Sequence, residues 1–177
     1  MATAVPTDYT NQIEYTEEVA EFSPEVLAEI DAHIAKYPQE RKRSALIPLL
    51  LLVIQRERGW VDNAGVNFLA KRLELEVTDV WETVTFYSMF NLRPVGRHHI
   101  QICKTLSCKI MGEPEITDHI CNKLGIKVGE TTPDEKFTIS LVECLGRCGT
   151  APMMQIGFDY HEDLTVEKVD KILDSLK

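Results

Sequence analysis

Four of the five cysteines in this chain fall into two close pairs, Cys103/Cys108 and Cys144/Cys148. Four residues separate the first pair, three the second, and 35 lie between the pairs. No other feature constrains the fold as strongly. Four thiolates delivered as two short clips suit a four-coordinate, sulfur-ligated centre, and within each clip the chain has only to turn back once to bring two sulfurs together. Soft thiolates select zinc, copper(I) or iron–sulfur clusters over magnesium or calcium. The pattern predicts a metal centre.

With 177 residues the chain can bury a real core, as one domain or two small ones. Its formal charge of −9 leaves no basic stripe to displace counterions, which argues against nucleic acid as a partner. The charge is uneven, with nine acidic side chains and one lysine in residues 1–40. No signal peptide is expected, because Met1 to Ile13 has neither a basic n-region nor an apolar h-region. The apolar run from Ala45 to Ile54 is ten residues long and contains Pro48, well short of the ~20 residues of a membrane span. A cytoplasmic protein without direct membrane insertion is expected, and its cysteines then read as ligands or free thiols rather than disulfides.

The chain reads as two halves. Residues 1–21 are polar and acidic without periodicity and predict a flexible tail. Residues 22–95 read as a small helical bundle. Ser23-Pro24-Glu25 has the form of an N-cap, a first-turn proline and a first-turn acid, and opens a helix that should end near Tyr37-Pro38. A second helix should begin near Ser44 and stop at Gly59. Asn63 is the expected cap of a third, and Thr78 of a fourth containing Val80, Trp81 and Val84. Residues 96–177 change period. His99 to Cys103 and Phe137 to Glu143 alternate as strands do, and each delivers a cysteine clip. Between them, Pro114 to Leu124 predicts a helix closed by Gly125. Met153 to His161 predicts a short hairpin, and Thr165 caps a last helix. The boundary is expected in Arg93-Pro94-Val95-Gly96-Arg97. The fold class is therefore α+β or α/β: a helical bundle followed by an α/β domain with both clips in loops after strands.

Three explanations compete for the four cysteines. They could be unrelated buried thiols, but two close pairs in glycine-containing loops argue against coincidence. They could hold structural zinc, whose clips usually enclose about two to four residues. They could hold a [2Fe–2S] cluster, whose core accepts the wider spacing found here. Ser107, Gly146, Gly149 and Thr150 lie where backbone N–H groups can reach sulfur. Spacing leans toward iron–sulfur. Cys121 lies mid-helix beside an apolar stripe and reads as a structural thiol. No C-x-x-C, G-x-G-x-x-G or Walker A motif is present, so any nicotinamide or flavin would belong to a partner. The five histidines read as packing or surface residues.

The run Glu143-Cys144-Leu145-Gly146-Arg147-Cys148-Gly149-Thr150-Ala151-Pro152-Met153-Met154-Gln155-Ile156 resembles the E subunit of NADH-quinone oxidoreductase (respiratory complex I). Tyr37 to Arg41, Ser44 to Leu50, Gln55 to Trp60, Thr85 to Phe90 and Gly129 to Thr132 are similar to the same family, in its order, from about Phe22 onward. The resemblance implies a thioredoxin-like ferredoxin domain after the bundle, with one [2Fe–2S] cluster on Cys103, Cys108, Cys144 and Cys148. It further implies a flavoprotein partner that binds FMN and NADH and exchanges single electrons with that cluster, larger iron–sulfur subunits beside it, and a place on the cytoplasmic side of the inner (plasma) membrane. Such a chain is a subunit of an NADH dehydrogenase without a complete active site of its own. The equivalent diaphorase subunit of an NAD-linked hydrogenase or formate dehydrogenase is the nearest alternative, and a zinc-stapled adaptor the distant one. Leu49 to Ile54 is apolar on every side of its helix, which fits a bundle core or a buried contact with a partner, and the bundle including this helix is expected to form much of the flavoprotein contact. Two residues depart from the family pattern. Glu135 stands at a turn where glycine is common. Arg147 lies inside the second clip, where it could face solvent, pair with an acid on the partner, or raise the cluster's potential.

Overall fold

A computed structural model describes residues 16–176 and divides the chain into two compact units between Pro94 and Val95. Residues 1–15, most of the expected tail, lie outside the described residues. The part that follows is tied down: Ala20 N–H donates to the Ala64 carbonyl at 3.0 Å, and Asn67 Nδ2 donates to the carbonyls of Thr16 and Glu18 at 2.7 and 2.8 Å.

The first unit is helical. Helix α1 (Pro24–Ile34) begins as its sequence predicts, with the Ser23 hydroxyl accepting from Val26 N–H. It ends short of Tyr37, in a turn closed by Tyr37 N–H on the Ile34 carbonyl. A 3₁₀ stretch, Gln39–Ala45, leads into what the sequence presents as one helix. That helix is composite: α2 (Leu46–Leu49), a π stretch (Leu50–Ile54) and α3 (Gln55–Arg58), ended by Gly59 at φ 76°. Pro48 falls in its first turns, where a missing N–H costs little. Leu49, Leu50, Val53 and Ile54 are wholly buried inside the unit. They form its core with Ile30, Val66, Leu69 and Val80, the bundle-core reading of this apolar run. Helix α4 (Asn63–Leu73) is capped one residue earlier than expected. Asp62 takes the extended N-cap conformation and its Oδ1 accepts from Gly65 N–H at 2.8 Å, leaving Asn63 inside the first turn. Helix α5 (Val77–Phe86) starts ahead of Thr78, with Glu76 at the N-cap position and no side-chain cap. Burial of Val80, Trp81 and Val84 sets its placement instead.

The second unit is a four-stranded mixed sheet with helices, an α+β arrangement. Strand β1 (His98–Cys103) pairs in parallel with β2 (Phe137–Val142) and antiparallel with β3 (Met154–Ile156), which pairs with β4 (Asp159–His161), giving the order β2-β1-β3-β4. Between β1 and β2 run a short helix α6 (Leu106–Ile110), which the sequence did not disclose, and α7 (Glu113–Leu124), ended by Gly125 at φ 67°. After β4, α8 (Val166–Ser175) is capped by Thr165, whose hydroxyl accepts from Lys168 N–H at 3.2 Å. Ile100, Ile102, Ile116, Ile120, Ile139 and Val169 lie at the centre of this unit's own core, with half-buried Cys121 packed against it. Glu135 does adopt the left-handed conformation (φ 55°) that glycine favours. Asp134 stabilises the turn, its carboxylate accepting from the Thr132 hydroxyl and from Lys136 N–H.

Candidate metal centre

Parallel pairing of β1 and β2 aligns Cys103 with Val142, so both clips leave from the same ends of adjacent strands. Lys104 N–H donates to the Val142 carbonyl at 3.0 Å, and Lys104 Nζ lies 3.0 Å from Glu143 Oε1. The two loops are thus joined at their first residues. On the other side, Cys103 N–H donates to the Met153 carbonyl at 3.2 Å. Cys103 and Cys108 are buried with Ala151 and Met153, and Leu145 packs on them. Cys144 and Cys148 are exposed.

Each clip has its own local reason. In the first, α6 turns the chain back so that Cys108 is buried in one cluster with Cys103. Thr105 is the N-cap of α6 but makes no capping bond. Its hydroxyl lies 3.2 Å from Cys103 Sγ instead. In the second, Gly146 takes φ 81° and its N–H donates to Cys144 Sγ at 3.3 Å. A short 3₁₀ turn, Cys148–Thr150, follows. Arg147 stays on this chain's own surface, with its Nε 3.3 Å from Glu162 Oε1.

Burial alone would raise the Cys103 thiol. Hydrogen bonds from the Thr105 hydroxyl, the Thr105 and Leu145 backbone and the Cys108 thiol outweigh it, and its pKa falls below the ordinary value. Cys108 is pushed the other way, to about 11, by burial, by its hydrogen bond to Cys103, and by negative charge at Cys103 and Cys148.

The structure therefore brings Cys103 and Cys108 together, sets Cys148 close enough to act on Cys108 by charge, and holds Cys144 at the start of the opposite loop. Among the described residues, no three or more His, Cys, Asp or Glu side chains already stand as one metal-holding group. The donor set suits a sulfur-ligated cluster: two thiol pairs at the ends of neighbouring strands, with N–H and O–H donors aimed at sulfur. Sequence reasoning found Gly146 as such a donor and missed Thr105 and Leu145. A cap-forming threonine two residues after a cysteine was the available signal for Thr105; Leu145 carried none, since any residue supplies an N–H. Cys121 lies apart on α7, where burial raises its thiol. His99 and His119 bond Ser140 and Asp170, both at 2.8 Å.

Comparison with known proteins bears on this arrangement. A family model described as "Thioredoxin-like [2Fe-2S] ferredoxin" matches residues 30–177. The E subunit of NADH-quinone oxidoreductase from Rickettsia felis is 48% identical over 141 residues, covering 80% of this chain and 84% of that protein. An E subunit of NADH-quinone oxidoreductase from Rhizobium meliloti, the one designated E 2, is 42% identical over 149 residues, covering 84% and 87%. Among solved structures, an NAD⁺-reducing [NiFe]-hydrogenase in its air-oxidised state superposes with a TM-score of 0.63 at 21% identity. That match covers 72% of this chain and 22% of the hydrogenase chain, and at this identity it speaks for the fold alone. With a match through both the helical unit and the clip-bearing sheet, the chain belongs to the thioredoxin-like [2Fe-2S] ferredoxin family, and the E subunits of NADH-quinone oxidoreductases are its relatives.

Proposed function

We propose that this chain is the electron-transfer subunit of an NADH:quinone oxidoreductase. Cys103, Cys108, Cys144 and Cys148 hold one [2Fe–2S] cluster, which when bound exchanges single electrons with the FMN of an NADH-oxidising partner. The observation that carries this reading is near-full-length similarity to E subunits, at up to 48% identity, in a chain whose fold delivers both clips from adjacent parallel strands. The same similarity favours it over the diaphorase subunit of a hydrogenase or formate dehydrogenase, since the hydrogenase match supports fold only.

The chain's own residues do the holding and tuning. Cys103 and Cys108 would hold the cluster from buried positions and Cys144 and Cys148 from exposed ones. Hydrogen bonds to the Cys103 and Cys144 sulfurs delocalise thiolate charge and stabilise the more negative, reduced state. Binding would displace the proton of every thiol that is still protonated. Exposed Leu106, Ile110 and Met111 on and beside α6 are apolar surface that a partner would cover. No helix among the described residues is long and apolar enough to cross a membrane. In this reading the chain is peripheral, on the cytoplasmic side of the inner membrane, beside the flavoprotein and the larger iron–sulfur subunits.

The test is an anaerobic visible spectrum and EPR of the purified chain before and after dithionite. A brown protein that bleaches and develops an S = ½ signal is expected, with the signal lost in Cys108→Ser and Cys144→Ser. A colourless protein with stoichiometric zinc would establish the adaptor reading instead.

A further inference from the structure

Glu162 follows β4 and belongs to neither clip, yet its carboxylate reaches two residues of the second one. Oε1 lies 3.3 Å from Arg147 Nε, and Oε2 accepts a 2.6 Å hydrogen bond from the Thr150 hydroxyl. Arg147 stands between Cys144 and Cys148, and Thr150 two residues past Cys148. The backbone beside Glu162 binds the same stretch: Asp163 N–H donates to the Thr150 carbonyl at 2.8 Å, and Leu164 N–H to the Pro152 carbonyl at 3.0 Å. Lys168 Nζ donates to the Glu162 carbonyl and so holds Glu162 from the α8 side. The Arg147 guanidinium also lies 5.7 Å from the Tyr160 ring, within cation–π range. With the Arg147 side chain 55% and the Glu162 side chain 26% exposed, this pair adds little to folding. Its place beside the clip gives it another use.

We propose that Glu162 is a positioning residue for the cluster site. It holds Arg147 and Thr150 so that the second clip keeps its shape, and its charge cancels that of Arg147 beside the cluster. The inference rests on the reading that the four cysteines carry a [2Fe–2S] centre. A cluster that takes up one electron gains one negative charge, so a neighbouring cation favours the reduced state and a neighbouring anion the oxidised state. Arg147 alone would raise the potential. Paired with Glu162 it presents a nearly neutral couple, and the potential is left to the sulfur hydrogen bonds.

The experiment is a dithionite redox titration of the full chain followed by EPR, on wild type, Glu162→Gln, Arg147→Ala and the double variant. Glu162→Gln is expected to raise the midpoint, Arg147→Ala to lower it, and the double variant to return close to wild type. Added salt should shrink both single shifts. Removal of the cluster by a chelator should run roughly threefold to tenfold faster in Glu162→Gln, as for the loss of one ordinary intramolecular hydrogen bond. A merely structural clamp would loosen the clip in both single variants and move their midpoints the same way. That outcome, or a Glu162→Gln midpoint at or below wild type, overturns the proposal. If Glu162→Gln does not retain its cluster, Arg147→Ala decides alone, and an unchanged or raised midpoint overturns it. A wild-type chain that binds no cluster removes the proposed function itself, and this inference with it.

Discussion

His99 lies on β1 with Nε2 2.8 Å from Ser140 Oγ, and burial lowers its pKa from 6.5 to about 4. The sequence placed it only as a packing or surface residue at the domain boundary, since nothing local distinguishes it from His98. Its shift carries a pH dependence. The unfolded chain binds this proton below pH 6.5 and the folded chain only near pH 4, so stability is intact above 6.5 and is lost as pH falls through that window. The loss should be about 2 kcal/mol, less than the full shift would give because the ring is only half-buried. Thermal melts from pH 7 to pH 4.5 should show wild type losing more stability than His99→Gln, by that amount. Parallel pH profiles would sink the assignment. Glu135 and Arg147 were visible in the sequence as departures from a pattern, but not what they do. The first accepts the left-handed turn, and the second turns back to an acid that follows it by 15 residues.

Gly96 joins residue to element. In the sequence it marks a boundary; in the structure it is where the entry to β1 meets the start of β2. A Cβ there would lie 2.8 Å from both Phe137 N and Phe137 C and 2.9 Å from Lys136 C, all backbone atoms that cannot yield without moving a strand. Gly96 N–H also donates to Thr138 Oγ1 at 2.6 Å. Gly96→Ala should therefore cost about 2 to 3 kcal/mol, as overpacking does, read as a lower urea midpoint. Unchanged stability would mean the strands do not approach so closely. The strands and long helices were legible because period, caps and terminal glycines agreed with one another, as at Ser23, Gly59, Gly125 and Thr165. Where two capping residues stood close together, at Asp62 and Asn63, local preference could not choose and the backbone geometry did. Helix α6 escaped notice because five residues are too few to show a period.

Each unit owns a core: one built on Leu49, Leu50, Ile54 and Leu69, the other on Ile100, Ile102, Ile120 and Ile139. All four clip cysteines, and every contact described for them, lie within the second unit. A chain beginning at Val95 should fold and bind the cluster by itself, giving the same EPR signal as the full chain. A fragment that stays unfolded or colourless would show that the cluster domain needs residues before it. At this scale the division of labour between sequence and fold is plain. Cysteine spacing, the switch from helical to alternating period near residue 96, and family resemblance are what the sequence alone offers for two parts and for thiolate chemistry in one of them, because these are properties of neighbours along the chain. Tertiary structure alone decided that Cys103 and Val142 end side by side, that Leu49, Leu50, Val53 and Ile54 are buried in the core of their own unit, and that Glu162 answers Arg147. These are meetings between residues far apart in sequence, set by strand pairing and burial, and no local pattern records them.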